Sequence, residues 1–161
     1  LRQLLGSDLA EQLRVLLHDL ALDGGALGIE ITERTAMVHE QEALGQLGRL
    51  RELGLDILVD DFGTGYSSLV AIHRLPVTAL KIDRGFVANL DGNGTGSVVA
   101  AIVAMARTLG LRVVAEGVET PAQRRRLWRL GCRFGQGYLF GRACDPEAAT
   151  RLLAEQGPAT P

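Results

Sequence analysis

Leu27-Gly28-Ile29-Glu30-Ile31-Thr32 sets Leu and Ile on one side of an extended chain and Gly, Glu and Thr on the other, because successive side chains of a strand point to opposite faces. The apolar face must be covered, and helices are the expected cover. Upstream, Asp23-Gly24-Gly25 ends a stretch of helical apolar spacing over about residues 8–20, opened by Ser7 as cap. That is one helix-to-strand step. Downstream the step recurs: a helix over about 37–53 closes at Gly54 and leads into a strand, Leu55 to Val59.

A short helix follows from near Ser67, then a strand over 79–82, a helix over about 96–109 closed by Gly110, and a strand from Leu111 to Ala115. Thr120-Pro121-Ala122-Gln123 combines a capping threonine, proline at the first helical position and glutamine at the third, so a helix starts there and ends at Gly131. Phe134 to Phe140 is expected as a fifth strand. Asp145-Pro146-Glu147 caps a last helix through about Glu155, with 156–161 expected to be a disordered tail.

Strands alternating with helices at this spacing imply a parallel sheet, either open and doubly wound or closed into a barrel. The polar residues separate the two. Glu30, Asp60, Lys81, Glu116 and Gln136 lie at or near the C-terminal ends of five successive strands, where barrel enzymes gather chemistry from several strands. An open sheet concentrates its site at one switch point behind a glycine-rich first turn. The expected class is therefore α/β, a (β/α)8 TIM-like barrel with about five strands within this chain. In Leu80-Lys81-Ile82-Asp83 the ionisable pair Lys81 and Asp83 alternates with apolar residues and is expected to point toward the barrel mouth.

Composition narrows the classes of function. The chain has 161 residues, 47% hydrophobic side chains and a net charge of -2, which fits a globular domain with a core and gives no electrostatic case for duplex nucleic acid. Its longest apolar run, Val98 to Ala106, stops at Arg107, well short of the roughly twenty residues of a membrane span. Cys132 and Cys144 match no zinc or redox spacing and read as free thiols of a reducing compartment, so a cytoplasmic location is expected, with a parent protein that can still be membrane-attached. The opening Leu1-Arg2-Gln3 reads as a cut inside a larger protein.

Glu30, Asp60, Asp61, Glu116 and Glu119 supply carboxylates with no His or Cys cluster beside them, a set suited to hard cations such as Mg²⁺ or Mn²⁺ rather than zinc. Singly, each has a bland explanation: adjacent aspartates make turns, Glu33 can serve a local cap, and Glu119 can complement the helix start that follows it. Together, at consecutive strand ends, they converge on one mouth. Clustered carboxylates repel one another unless cations neutralise them, and two metals sharing a carboxylate suit in-line displacement at a phosphodiester. Lys81 fits there as a group that stabilises phosphate charge or orients water. Gly92-Asn93-Gly94-Thr95-Gly96 lacks the ending of a phosphate-binding loop and reads as a connector.

Taken together, Glu30-Ile31-Thr32-Glu33, the long block from Val59-Asp60-Asp61-Phe62-Gly63 to Leu69, Leu80-Lys81-Ile82-Asp83, Val113-Val114-Ala115-Glu116-Gly117-Val118-Glu119-Thr120 and Gln136-Gly137-Tyr138-Leu139-Phe140 resemble the EAL family of cyclic di-GMP phosphodiesterases in order and spacing. The resemblance implies hydrolysis of cyclic di-GMP to linear pGpG with two divalent cations, Mg²⁺ or Mn²⁺. It implies metal-binding roles for Glu30, Asp60, Asp61 and Glu116, with Asp60 as the bridge, and catalytic roles for Glu116 and Lys81. Gln136, Glu119, Asp83 and Glu33 follow as substrate-binding or supporting residues, Glu33 bracing the loop after Asp61.

By the same resemblance the full domain is a homodimer, joined in its parent protein to an upstream sensory or cyclase domain. The family's signature Glu-Ala-Leu strand and an Asn-Leu-Ser strand, which supply further metal ligands in the family, are expected to lie upstream of this chain. A barrel of about 250 residues leaves roughly 90 to an upstream segment, so residues 1–155 are expected to be the C-terminal part of the domain. Gly141-Arg142-Ala143 departs from the family's usual proline after arginine. The competing reading is a catalytically degenerate EAL domain that acts as a cyclic di-GMP receptor or regulatory module.

Overall fold

A computed structural model describes residues 9–38, 40–65, 69–90 and 94–156. In chain order the elements are α1 (Leu9–Asp19), β1 (Gly28–Thr32), α2 (Glu33–Val38), α3 (Glu40–Glu52), β2 (Asp56–Phe62), α4 (Leu69–Arg74), β3 (Ala79–Ile82), α5 (Arg84–Ala88), α6 (Thr95–Thr108), β4 (Arg112–Ala115), α7 (Pro121–Arg129), β5 (Phe134–Gly135) and α8 (Pro146–Gln156). The five strands form one parallel sheet in the order β1-β2-β3-β4-β5. Strands neighbouring in sequence neighbour in space, as in a five-strand arc of a β/α-barrel.

One device repeats at the helix-to-strand corners. After α3 the chain turns at Gly54, whose φ of 84° costs a residue with a side chain more than it costs glycine. The Gly54 N–H reaches Arg51 O and the Leu55 N–H reaches Leu50 O, which satisfies the carbonyls at the helix end and aims the chain back along the sheet. The same pair of bonds closes α6 at Gly110 and α7 at Gly131. At the other end of α7 the expected capping box is present, with Thr120 and Gln123 exchanging side-chain and backbone bonds.

The outer face of the sheet is the core. Ile57, Val59, Leu80 and Ile82 are all 0% exposed and cluster with Ala36 of α2, Leu47 and Leu50 of α3, Ile72 of α4, Val99 and Ala106 of α6 and Leu127 of α7. Burying a side chain of this size contributes about 1.5–3 kcal/mol. The driving force of the fold therefore lies outside the arc, and the inner face is left free to carry polar groups.

Three expectations need correction. The helix expected over 37–53 begins already at Glu33, as α2, and continues as α3; the strand Ile31-Thr32 runs straight into it. The expected fifth strand is paired only at Phe134–Gly135, because Gly137, with φ of 150°, turns the chain so that Phe140 N–H bonds back to Gly137 O. Helix α8 continues through Gln156, a residue expected to belong to the tail. The expected Ser7 cap, the helix start at Ser67, Gly92-Asn93 of the connector and residues 157–161 lie outside the described residues.

Asp56 and Arg112 tie β2 to β4 across the intervening strand. Their side chains meet at 2.5 Å, and Ala79, register partner of both Leu58 and Arg112, is small enough to be bridged. The Arg112 guanidinium holds the Asp56 carboxyl below the usual carboxylate range, against a weaker opposing effect of burial. Because both side chains are partly exposed, Arg112→Ala is expected to cost no more than about 1 kcal/mol at pH 7. A depressed carboxylate stabilises above its unfolded pKa of about 3.9 and loses that contribution as pH falls through the folded value. Urea denaturation of parent and variant should therefore converge at low pH; a gap that persists would assign Arg112 a packing role.

Candidate functional site

Lys81 is the centre of the inner face. It occupies β3, flanked by β2 and β4, and its side chain is 4% exposed. An isolated ammonium in such a place costs several kcal/mol, but this one is surrounded. Its Nζ lies 2.7 Å from Glu30 Oε2, 3.1 Å from Asp60 Oδ1 and 2.5 Å from Glu116 Oε1. Burial alone would lower the Lys81 pKa; hydrogen bonds to Glu116, Glu30 and Asp60 outweigh it and hold the ammonium well above the usual lysine range. Glu116 moves the opposite way to an ordinary ion-paired carboxylate. Burial pushes its carboxyl up and the like charge of Asp60 adds to this, while Lys81 opposes both.

Each carboxylate arrives by its own element. Glu30 sits on β1 opposite Leu58, and Asp60 lies on β2 opposite Thr32. Glu116 directly follows β4 and keeps the ladder going, its N–H donating to Ile82 O. Gln136, just past β5, donates from Nε2 to Glu116 Oε1 at 2.9 Å and so fixes that carboxylate's orientation. The parallel register brings all these strand ends to one rim.

A bulge sets Asp61. Val59 pairs with Leu80 and Phe62 with Ile82, so β2 carries one residue more than β3 over this interval. Such an insertion re-aims side chains at a strand end, and it lets Asp60 and Asp61 both serve the rim instead of alternating across the sheet. Asp61 adopts φ of 55°, a left-handed conformation that aspartate tolerates better than most residues. Its N–H donates to Asp60 Oδ1 at 3.1 Å, and its carbonyl accepts from Thr64 Oγ1 at 2.9 Å.

The turn after the bulge is braced from below. Glu33, buried at 4%, accepts the Gly63 N–H at 2.9 Å. Gly65 lies over the same carboxylate, so that a Cβ there would stand 2.7 Å from Glu33 Oε1. Glu33 thus acts on the site through the loop.

Among the described residues, Asp60, Asp61 and Glu116 each offer a carboxylate oxygen within 4.8 Å of the other two. An all-oxygen anionic set fits a hard divalent cation. Glu30 stands beside this trio through Lys81 rather than within it. Two other sequence candidates stay apart from the cluster. Asp83 caps α5 by accepting the Gly85 N–H at 2.8 Å, a role legible in an Asp two residues before a glycine. Glu119 is exposed, and its N–H donates to Gln123 Oε1.

A profile of the EAL domain matches residues 1–143. The chain belongs to the EAL domain family. Over 147 residues it is 48% identical to the bifunctional diguanylate cyclase/cyclic di-GMP phosphodiesterase MucR of Pseudomonas aeruginosa, an alignment that takes in 91% of this chain and 21% of that protein. The chain thus spans about a fifth of the length of this curated relative. Superposed on the structure of the MucR phosphodiesterase in complex with cyclic di-GMP, it gives a TM-score of 0.87 at 45% identity and covers 92% of itself and 60% of that chain. The Klebsiella pneumoniae BlrP1 structure with manganese and cyclic di-GMP gives a TM-score of 0.80 at 34% identity, covering 86% of this chain and 36% of that one.

For this EAL domain the tightest steric constraint near the rim is Gly137. A Cβ there would stand 2.4 Å from both the N and O of Val118, whose N–H and C=O bond Gln136 and Leu139. Gly137→Ala is expected to cost on the order of 3 kcal/mol and to displace Gln136 from Glu116. Urea unfolding together with Mn²⁺ titration of the full-length protein would check this; an unperturbed variant would show that the turn relaxes freely.

Proposed function

We propose that this domain hydrolyses cyclic di-GMP to linear pGpG with divalent cations, Mg²⁺ or Mn²⁺. The observation that carries the reading is the meeting of Asp60, Asp61 and Glu116 within 4.8 Å, two of them, Asp60 and Glu116, paired with a buried lysine ammonium. Kinship supports the substrate: relatives at 48% and 44% identity are named cyclic di-GMP phosphodiesterases, the first of them bifunctional, and solved relatives were obtained with cyclic di-GMP and with calcium or manganese.

Asp60, Asp61 and Glu116 would hold metal, with Glu30 joining once Lys81 yields it. Bound divalent cations supply a water nucleophile at neutral pH and neutralise charge on the attacking and leaving oxygens. The residues of this chain do the rest. Glu116, with its raised pKa, takes a proton from the attacking water. Lys81 places positive charge against the phosphate as charge develops there. Gln136 holds Glu116 in position for both steps. The water oxygen bonds to one phosphorus, one ring P–O bond breaks, and the proton leaves on the freed hydroxyl. A linear dinucleotide with a terminal phosphate results.

The active unit is proposed to be larger than this chain. This chain covers 60% of the MucR phosphodiesterase structure, which extends well past the aligned region. Trp128, Phe134, Tyr138 and Phe140, all more than half exposed beside β5, form a surface for strands and helices that complete the barrel. Those upstream strands would bring the signature Glu and the Asn, and this chain alone would be inactive. Homodimerisation, an upstream sensory or cyclase domain and a cytoplasmic site of action belong to the same proposal.

In the full-length protein, Asp60→Asn is expected to lower turnover by about 100-fold or more while keeping the fold, because it removes an anionic ligand without removing volume. Chromatographic detection of pGpG, with Mn²⁺ binding followed in parallel, decides the point. Near-normal turnover at saturating metal would remove Asp60 from the machinery.

A further inference from the structure

An ammonium has three protons to donate, and Lys81 has three carboxylates within 3.1 Å, from Glu30, Asp60 and Glu116. Its donors are therefore saturated. Two of those carboxylates, Asp60 and Glu116, also belong to the trio able to hold a metal. An ammonium and a divalent cation at this rim draw on the charge of the same two anions.

We propose that Lys81 is a built-in counter-cation that keeps the carboxylates gathered in the metal-free protein and competes with the divalent cation for Asp60 and Glu116. Without it, three carboxylates facing one rim would repel and splay. With it, the site is preformed but occupied, and a divalent cation entering beside Asp60 and Glu116 repels the ammonium and draws at least one carboxylate away from Nζ. Only then does the ammonium have a free proton to direct at a phosphate. Metal binding thereby sets the moment at which Lys81 becomes available, which orders metal before the lysine–phosphate contact.

The proposal rests on the metal-binding reading above, and the test separates the two. In the full-length protein, stripped of metal by chelation, Mn²⁺ binding is measured by calorimetry at fixed pH and ionic strength for the parent, Lys81→Met and Lys81→Gln. Removing the competing charge is expected to tighten Mn²⁺ binding about tenfold or more. The variants should also melt lower than the parent without metal and gain more in Tm at saturating Mn²⁺. A variant that folds only with Mn²⁺ supports the same conclusion.

Equal affinities and equal gains in Tm would overturn the counter-cation and leave the metal site standing, since a packing lesion lowers Tm equally with and without metal. Weaker Mn²⁺ binding by the variants would overturn it as well, by making Lys81 an organiser of the ligands. Failure of the parent to bind Mn²⁺ would remove the metal reading and the proposal with it. Should neither variant fold, ¹⁵N-lysine NMR of the parent gives the answer. The Lys81 ammonium signal, protected in the metal-free protein, is expected to shift on saturation with Mg²⁺, and a signal that stays in place overturns the proposal.

Discussion

A single buried ammonium holds this site together. Lys81 sits on a strand whose other residues, Ala79, Leu80 and Ile82, are fully buried, and it survives there because carboxylates from β1, β2 and the end of β4 converge on it. Desolvation and pairing act in opposite directions on both partners. For the lysine the pairing wins and the charge is secured; for Glu116 burial wins and the carboxyl is pushed up. A site with one firmly charged cation and one carboxylate displaced toward neutrality contains groups suited to electrostatic stabilisation and to proton transfer.

The geometry around that ammonium comes from departures from regularity, each supported elsewhere. The bulge at Asp60-Asp61 adds a residue to β2, and the left-handed Asp61 stores some backbone strain. Glu33 and Thr64 hold the strained turn through its backbone, at Gly63 N–H and Asp61 O. On the other flank Gly137 lets the chain press against Val118 so that Gln136 meets Glu116. The regular part of the sheet supplies the platform, and the irregular ends aim the ligands.

Division of labour between the faces of the sheet explains how such a charged cluster is tolerated. The outer face buries Ile57, Val59, Leu80 and Ile82 against the helices and carries the stability, while the inner face holds the Asp56–Arg112 pair and the Lys81 cluster. The rim can thus be built for chemistry without weakening the core, as in β/α-barrels generally.

Much of this was legible in the sequence. Alternation in Leu27 to Thr32 and the Gly-closed helices before β2, β4 and β5 report local preferences, and local preferences act within a few residues. The long Val59 to Leu69 block carried the family. The sequence also placed Glu30, Asp60, Lys81, Glu116 and Gln136 at strand ends, because a parallel sheet brings equivalent positions of successive strands to one rim. Tertiary structure alone decided what those residues do to one another. That Lys81 takes three carboxylates, that Gln136 meets Glu116, and that β5 is cut short by the approach of Gly137 to Val118 all depend on contacts between distant segments. Desolvation and Coulomb terms depend on those three-dimensional distances, and spacing along the chain does not contain them.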